Sequence, residues 1–270
     1  ELAWGQMPVL VLPNGEKRIL PQNDTAVLWQ EQEGDIHIDS RTLIMADEGE
    51  EDREPVYYSM NIPYGGEYNL VLPDGTRIYL NAGTTLRYPD HFAGDAREIF
   101  LSGEAYLEVA RDTTRPFIVR TDDMDVRVLG TVFNVNAYPE SSHVRTTLVE
   151  GKVETRCGGE RIVMKPGMQV AYDKATRQAD YFPVDVRHFI SWKDGYYDFR
   201  DMTLGELMQI FTRWYDVDVR FANPLLENLR FSGRLRRYED VSELFKQLEY
   251  TGDVAFDVKG KNIVIRDVQK

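Results

Sequence analysis

The stretch LVLPDGTRIYL at residues 70–80 decides the local fold of the first part of the chain, and LVLPNGEKRIL at residues 10–20 repeats it with six of eleven positions identical. Proline followed by Asp or Asn and then Gly is a turn signal. Proline pre-sets φ, the Asx side chain bonds its own backbone, and glycine accepts a positive φ. Apolar residues alternate around the turn, with Leu70 and Leu72 before it and Ile78 after it. The pattern predicts a β-hairpin with one buried face, present twice.

The same period-two alternation extends from about residue 8 to residue 182, and it is interrupted by turn residues such as Ser102-Gly103 and Pro166-Gly167. Many short strands separated by regular turn signals are typical of a sandwich or of stacked β-structure. We therefore expect residues 1–183 to form a mainly β domain, an antiparallel sandwich or a stacked β-structure, with the duplicated hairpin as one of its repeated elements.

After about residue 190 the spacing of the apolar residues changes from the two-residue period of strands to the period of helices. Thr203 and Glu206 have the spacing of a capping box, and a helical stripe of apolar residues follows it: Leu204, Leu207, Met208, Phe211, Trp214 and Tyr215. A second cap at Asp240 and Glu243 precedes a similar stripe. Short apolar runs flank both helices, which predicts the order β-α-β-β-α-β-β. We expect a small α+β domain over residues 184–270, with the domain boundary at Pro183.

Composition excludes several classes of function. The net charge of −13 over 270 residues argues against a nucleic-acid partner, since phosphate binding needs clustered Lys and Arg. The single cysteine, Cys157, excludes an internal disulfide framework. No apolar stretch approaches the roughly 18–20 residues that cross a bilayer. Because the sequence begins at Glu1 without an initiator Met, we expect it to be a piece of a longer product.

No catalytic or metal-binding pattern stands out in the sequence. Glu104 and Glu108 share a strand face, but at ~3.3 Å per residue they lie roughly 13 Å apart, beyond the separation of paired glycosidase carboxylates. The residues DIHID (35–39) suit an exposed polar strand face better than a metal site. The acidic stretch MADEGEEDREP (45–55) indicates a solvated loop rather than a calcium loop. We expect no enzyme activity, no cofactor and no metal.

Several motifs together resemble one known family. Six segments carry the resemblance: GGEYNLVLPDGTRIYLNAGTTLRYP (65–89), LSGEAYLEVARD (101–112), PFIVRT (116–121), VLGTVFNVNAY (128–138), TTLVEGKVE (146–154) and MKPGMQVAY (164–172). In residues and in order they are similar to the periplasmic domain of the FecR family of anti-sigma factors, most strongly over residues 60–175. The C-terminal part, from WKDGYYDF onwards, is similar to the domain that follows in many members. Its β-α-β arrangement resembles the short signalling domain of secretins and TonB-dependent receptors.

This resemblance implies a regulatory role in signal transduction. Family members place an anti-sigma segment in the cytoplasm, then one transmembrane helix, then a periplasmic part. The resemblance implies that this chain is the soluble periplasmic part of a single-pass inner-membrane protein, which receives a signal from the N-terminal signalling domain of a TonB-dependent outer-membrane transducer. An extracytoplasmic-function sigma factor would then be contacted only through the cytoplasmic segment, which this sequence lacks. Tyr and Trp content leaves an alternative open, a carbohydrate-binding β-domain of a nutrient-uptake system.

We expect the partner-binding surface to lie in the C-terminal domain, where strand edges and apolar patches are available for β-strand addition. Candidate contact residues come from three strands, and each has a competing interpretation as a core residue: Tyr196, Tyr197, Phe199, Val217, Val219, Phe221, Ile263 and Ile265.

Overall fold

The computed structural model describes residues 7–20, 27–31, 34–39, 41–45, 53–237 and 241–268. The chain divides into two compact units, and the division falls after Val186. We call residues 7–186 the N-terminal unit and residues 187–268 the C-terminal unit. The predicted acidic loop and the predicted helix cap at Asp240 lie outside these residues. The side chains of the DIHID strand also lie outside the described part.

The N-terminal unit is built from short strands. Their bounds are β1 Val9–Val11, β2 Lys17–Ile19, β3 Val27–Glu31, β4 Gly34–Asp39, β5 Thr42–Met45, β6 Tyr57–Asn61, β7 Tyr68–Val71, β8 Arg77–Leu80, β9 Thr85–Pro89, β10 Arg97–Glu108, β11 Phe117–Arg120, β12 Met124–Val128, β13 Val132–Ala137, β14 His143–Glu150, β15 Val153–Cys157, β16 Glu160–Met164, β17 Met168–Asp173 and β18 Gln178–Pro183.

Both copies of the duplicated element are β-hairpins with the same turn. In the first, the Gly15 amide donates to the Leu12 carbonyl, and in the second the Gly75 amide donates to the Leu72 carbonyl, both at 2.9 Å. The two glycines have φ of 85° and 82°, values that a residue with a side chain rarely adopts. The turn chemistry read from the sequence is confirmed in both places.

The strands form two sheets. Sheet A has the order β2-β1-β6-β9-β10-β11-β12-β15-β16. Sheet B has the order β3-β4-β5-β7-β8-β10-β13-β14-β17-β18. The inward side chains of both sheets belong to one hydrophobic cluster, so the predicted mainly β fold is confirmed. The pairs β5–β7 and β10–β11 are parallel, which departs from a purely antiparallel arrangement.

Strand β10 belongs to both sheets. Its residues up to Ser102 pair with β9 and β11 in sheet A, and those from Gly103 onwards pair with β8 and β13 in sheet B. Gly103 has a φ of 116° and lies against Thr84, whose Cα would be 2.7 Å from an added Cβ. Glycine is therefore required where the strand passes from one sheet to the other.

The elements of the C-terminal unit follow the predicted order β-α-β-β-α-β-β, preceded by a short helix that the sequence did not predict. Their bounds are α1 Arg187–Ile190, β19 Tyr196–Thr203, α2 Leu204–Tyr215, β20 Asp218–Phe221, β21 Arg230–Arg236, α3 Val241–Glu249, β22 Val254–Lys259 and β23 Asn262–Asp267, with 3-10 turns at Ser191–Asp194 and Pro224–Asn228. Helix α2 begins with the predicted capping box, in which Thr203 Oγ1 accepts from the Glu206 amide at 3.2 Å. The small α+β fold is confirmed.

The helices of this unit pack against two small sheets. Strands β19 and β21 pair antiparallel as sheet C, and β20, β23 and β22 form sheet D. Aromatic contacts join the helices to both sheets: Tyr197 with Trp214 at 5.8 Å, Phe211 with Phe245 at 5.4 Å, and Phe245 with Phe256 at 4.5 Å between ring centroids. These contacts make one aromatic core that spans the unit.

Candidate partner-binding surface

Burial separates the candidate contact residues into two groups. Phe199, Val217, Ile263 and Ile265 are at most 4% exposed, and so they pack the core. Tyr197, Val219 and Phe221 are half-buried, and the Tyr197 ring packs edge-on against Trp214. Tyr196 is 36% exposed. Contact between these residues and a partner remains a prediction, and Tyr196 is the residue whose ring is best placed to make it.

The outer face of sheet C carries a feature that the sequence analysis did not identify. In β21, the residues Phe231, Gly233 and Leu235 pair with the inward residues Met202, Phe199 and Tyr197 of β19. The alternate residues of β21 therefore face outward, and all four are exposed. We call them the arginine row: Arg230, Ser232, Arg234 and Arg236. The signal is present in the sequence as the period-two pattern of RFSGRLR at residues 230–236.

Tyr196 lies against the arginine row. Its ring centroid is 5.5 Å from the Arg234 guanidinium carbon and 5.6 Å from that of Arg236. Both distances fall within the range of cation–π attraction. The exposed tyrosine and the two arginines therefore form one surface in which each side chain restrains the others.

Aspartates on β19 balance part of this positive charge. Arg234 donates from Nη2 to Asp198 Oδ2 at 3.0 Å, and Arg230 lies 3.2 Å from Asp201 Oδ2. The hydrogen bond from Arg234 is the largest cause that holds the pKa of Asp198 below its ordinary value. Residues 187–270 contain 14 Lys or Arg and 14 Asp or Glu, so the entire net charge of −13 lies on residues 1–186. The arginine row thus gathers three arginines on one strand, in a part of the chain whose Lys and Arg equal its Asp and Glu in number.

Sheet C has an irregular register beside the arginine row. The pairing shifts between Phe199 and Met202, and Asp201 there has a φ of 51°. The Asp201 amide donates to Ser232 Oγ at 2.9 Å, which holds the bulge against β21. Bulges of this kind are frequent at sheet edges and at sites where a strand re-aims its side chains.

The N-terminal unit contains a cavity of about 510 Å³ at the turn between β15 and β16. Its lining residues include no aromatic ring: Thr121, Asp122, Asp123, Met124, Asp125, Arg156, Cys157, Gly158, Gly159, Glu160 and Arg161. It therefore lacks the rings on which a sugar would stack. Burial is the main cause that raises the pKa of the Cys157 thiol, which keeps it in the less reactive protonated form.

No described group of three or more His, Cys, Asp or Glu side chains is placed to hold a metal ion. No helix among the described residues has both the length and the apolar character needed to cross a membrane.

Comparison with known families matches both units. The model of the FecR protein family matches residues 59–154, and the model of the FecR C-terminal domain matches residues 196–265. Together the two matches cover more than half of the chain. The chain belongs to the FecR family of anti-sigma factors, a family of membrane-spanning regulators with a periplasmic part.

Solved structures show the same architecture. The chain is similar to a candidate anti-sigma factor from Parabacteroides distasonis ATCC 8503, solved at 1.65 Å, with 26% identity and a TM-score of 0.74 over 78% of this chain and 99% of that one. A second crystal structure of a candidate anti-sigma factor from the same organism, at 2.50 Å, matches with the same identity and TM-score over 79% of this chain and 100% of that one. No curated protein matches the chain at a significant level.

Proposed function

We propose that this chain is the periplasmic sensor and relay part of its anti-sigma factor. In this proposal it receives a signal from the N-terminal signalling domain of a TonB-dependent outer-membrane transducer. The full-length protein then controls an extracytoplasmic-function sigma factor across the inner membrane. The chain itself contributes binding and transforms no molecule.

The observation that carries this proposal is the C-terminal unit. The FecR C-terminal model falls on residues 196–265, the same residues that form sheets C and D and their two helices. The β-α-β arrangement resembles the signalling domains of TonB-dependent receptors. Within the described residues sheet C consists of two strands, so it offers strand edges and an exposed face within a small unit, features that suit recognition of another folded domain.

The environment of the buried acid in the N-terminal unit supports a structural role for it. Glu104 accepts hydrogen bonds from Asn81 Nδ2 at 2.8 Å and from Asn134 Nδ2 at 3.0 Å. These three residues, each at most 6% exposed, join β10 and β13 to the end of β8. A carboxyl group held in this way by two amides has hydrogen-bond partners as a buried polar group requires, and it is positioned to fix the sheet rather than to reach a substrate.

A direct binding experiment tests the proposal. The chain, purified, is titrated by calorimetry with the isolated signalling domain of the transducer that is encoded beside it. We expect a one-to-one complex. The control is the same transducer without its signalling domain, which should not bind. A signalling domain that is folded but gives no heat and no co-elution with this chain would refute the proposed function.

A further inference from the structure

The geometry of β21 points to the chemistry of the partner. We propose that β21 accepts an edge strand from the partner along its open side, and that the outward side chains of that strand carry Asp or Glu at alternate positions, opposite the arginine row. This inference rests on the proposed function and goes beyond it, because it specifies the docking strand, the binding mode and the charge pattern of the partner.

The open edge is the first observation. Within the described residues, β21 pairs with β19 along one side and with no strand along the other. Its seven residues span roughly 20 Å at ~3.3 Å per residue. The Arg236 carbonyl already accepts from the Tyr215 hydroxyl at 3.1 Å, so we assign the docking edge to residues 230–235, which is the length of an ordinary strand. Most of β21 is exposed, including Gly233 at its centre. Main-chain N–H and C=O groups on such an edge are a ready template for strand addition.

The charge pattern is the second observation. The arginines at 230, 234 and 236 face outward on the same side of β21, so the partner residues nearest to them would also be outward-facing and would alternate along the added strand. Two aspartates, Asp198 and Asp201, balance part of these charges from β19. The Arg230 and Arg234 side chains are 56% and 62% exposed. A guanidinium has five N–H donors, so one carboxylate on each leaves further donors available to a second.

The third observation is that this surface consists of arginine and tyrosine side chains. Arginine and tyrosine are enriched at protein interfaces, where arginine binds carboxylates through two donors and tyrosine adds apolar area at low entropic cost. Tyr196, whose ring centroid lies within 5.6 Å of the guanidinium carbons of Arg234 and Arg236, adds an aromatic ring beside the arginine row. The alternative is that the arginines only protect an open edge from self-association, as charged residues on edge strands do.

Hydrogen exchange on the complete chain tests the docking strand. Exchange is measured with and without the isolated signalling domain of the transducer. We expect the amides of residues 230–235 to become protected in the complex, while the amides of edge strand β22 in sheet D keep their rates. Protection that appears elsewhere and leaves residues 230–235 unchanged would overturn the inference and leave the proposed function intact.

Substitution tests the charge pattern. In R230Q/R236Q, Arg234 is retained because its partner Asp198 is only 16% exposed, whereas Asp201, the partner of Arg230, is 75% exposed and remains solvated. We expect the Kd for the signalling domain to rise roughly ten-fold, with a weaker dependence on salt concentration. The matched control is R220Q/R266Q, which removes two exposed arginines from β20 and β23 of sheet D and should change the Kd less than two-fold. Thermal unfolding of each variant checks that the fold is kept. If a variant does not fold, the hydrogen-exchange experiment on the unaltered chain still tests the docking strand.

The remaining outcomes are also decisive. If R230Q/R236Q binds as tightly as the unaltered chain and only self-associates more, the arginines are edge guards and the inference is wrong. If the unaltered chain forms no complex with the signalling domain, the proposed function fails and the inference fails with it.

Discussion

Asp74 and Arg97 form a buried ion pair, with 2.6 Å between Asp74 Oδ2 and Arg97 Nη1, that ties the second hairpin turn to the first residue of β10. The Arg97 side chain is 1% exposed and also donates to the carbonyls of Arg115 and Ala110. Asn14 occupies the equivalent turn position in the first hairpin and accepts only from the nearby Glu16 amide in the described structure. The duplicated turn thus carries a buried charge in one copy and a solvated amide in the other.

This difference predicts that exchanging Asp and Asn has unequal effects. In D74N the turn keeps its side-chain acceptor, but the buried Arg97 loses its counter-charge, so we expect the free energy of unfolding to fall by about 3 kcal/mol. The matched control N14D places a carboxylate in an exposed turn and should change that free energy by less than about 0.5 kcal/mol. Urea unfolding of both variants measures the difference, and equal losses would contradict the assigned role of the ion pair.

The crossing of β10 between the sheets predicts a strong effect of a small substitution. In G103A the new methyl group would lie within 3 Å of Thr84, at a backbone φ of 116°. Overpacking and backbone strain add here, so we expect a loss of about 3 kcal/mol or more. In G159A the φ is also positive, at 85°, but no atom lies within 4 Å, and the loss should be about 1 kcal/mol. A G103A variant as stable as G159A would show that the crossing tolerates a side chain.

The buried tyrosines of the N-terminal unit predict sensitivity to base. Burial is the main cause that raises the pKa of Tyr68 and of Tyr88 well above the ordinary value of 10.0, and the neighbouring Tyr58 and Tyr68 add to the shift of Tyr88. The unfolded chain releases these protons near pH 10 while the folded chain retains them. Stability is therefore fully present below pH 10 and falls as the pH rises above it, by about 1.4 kcal/mol per unit for each such tyrosine.

A pair of substitutions tests this account of the tyrosines. The Tyr88 hydroxyl is buried and makes no hydrogen bond in the described part of the chain, so Y88F should be neutral or stabilising near pH 7 and less sensitive above pH 10. The Tyr138 hydroxyl donates to the Ala82 carbonyl at 2.7 Å, and Y138F should lose about 1 kcal/mol near pH 7. Unfolding in urea over a pH series measures both effects, and a destabilised Y88F would contradict the assignment.

The capping box predicts where the C-terminal unit is vulnerable. In T203A the Glu206 amide loses its side-chain acceptor, so we expect about 1 kcal/mol less stability. Hydrogen exchange should show the loss in α2 and not in the sheets of the N-terminal unit. T212A, a substitution at a half-buried position within the same helix, serves as the control and should cost less.

Local chemistry explains which features could be predicted from the sequence. The two turns depend on Pro, Asx and Gly within four residues, and helix α2 depends on Thr203, Glu206 and the stripe after them, so each signal is contained in its own segment. Strands β5 and β10 form parallel pairs with β7 and β11. Parallel pairing depends on the path of the connecting chain, which no local sequence pattern specifies. The buried roles of Arg97 and Glu104 depend on residues far away in the sequence, and charge alone would place both on the surface.

The candidate partner-binding surface shows a different limit of prediction from sequence. The alternation of arginine with Phe231 and Leu235 is present in the sequence, but the aromatic residues of the neighbouring strand favour Tyr197 and Phe199 as contact residues. A period-two pattern tells which residues share a face, and it does not tell which face is buried until the helices are placed. The position of Trp214 against Tyr197 settles that question for sheet C.

A strand shared by two sheets also shapes how the N-terminal unit can fail. Strand β10 is the central member of both, with β9 and β11 beside it in sheet A and β8 and β13 beside it in sheet B. Loss of that strand would break the backbone hydrogen bonding between the two halves of sheet A and of sheet B at once. The stability of each sheet is therefore coupled to that of the other through one strand.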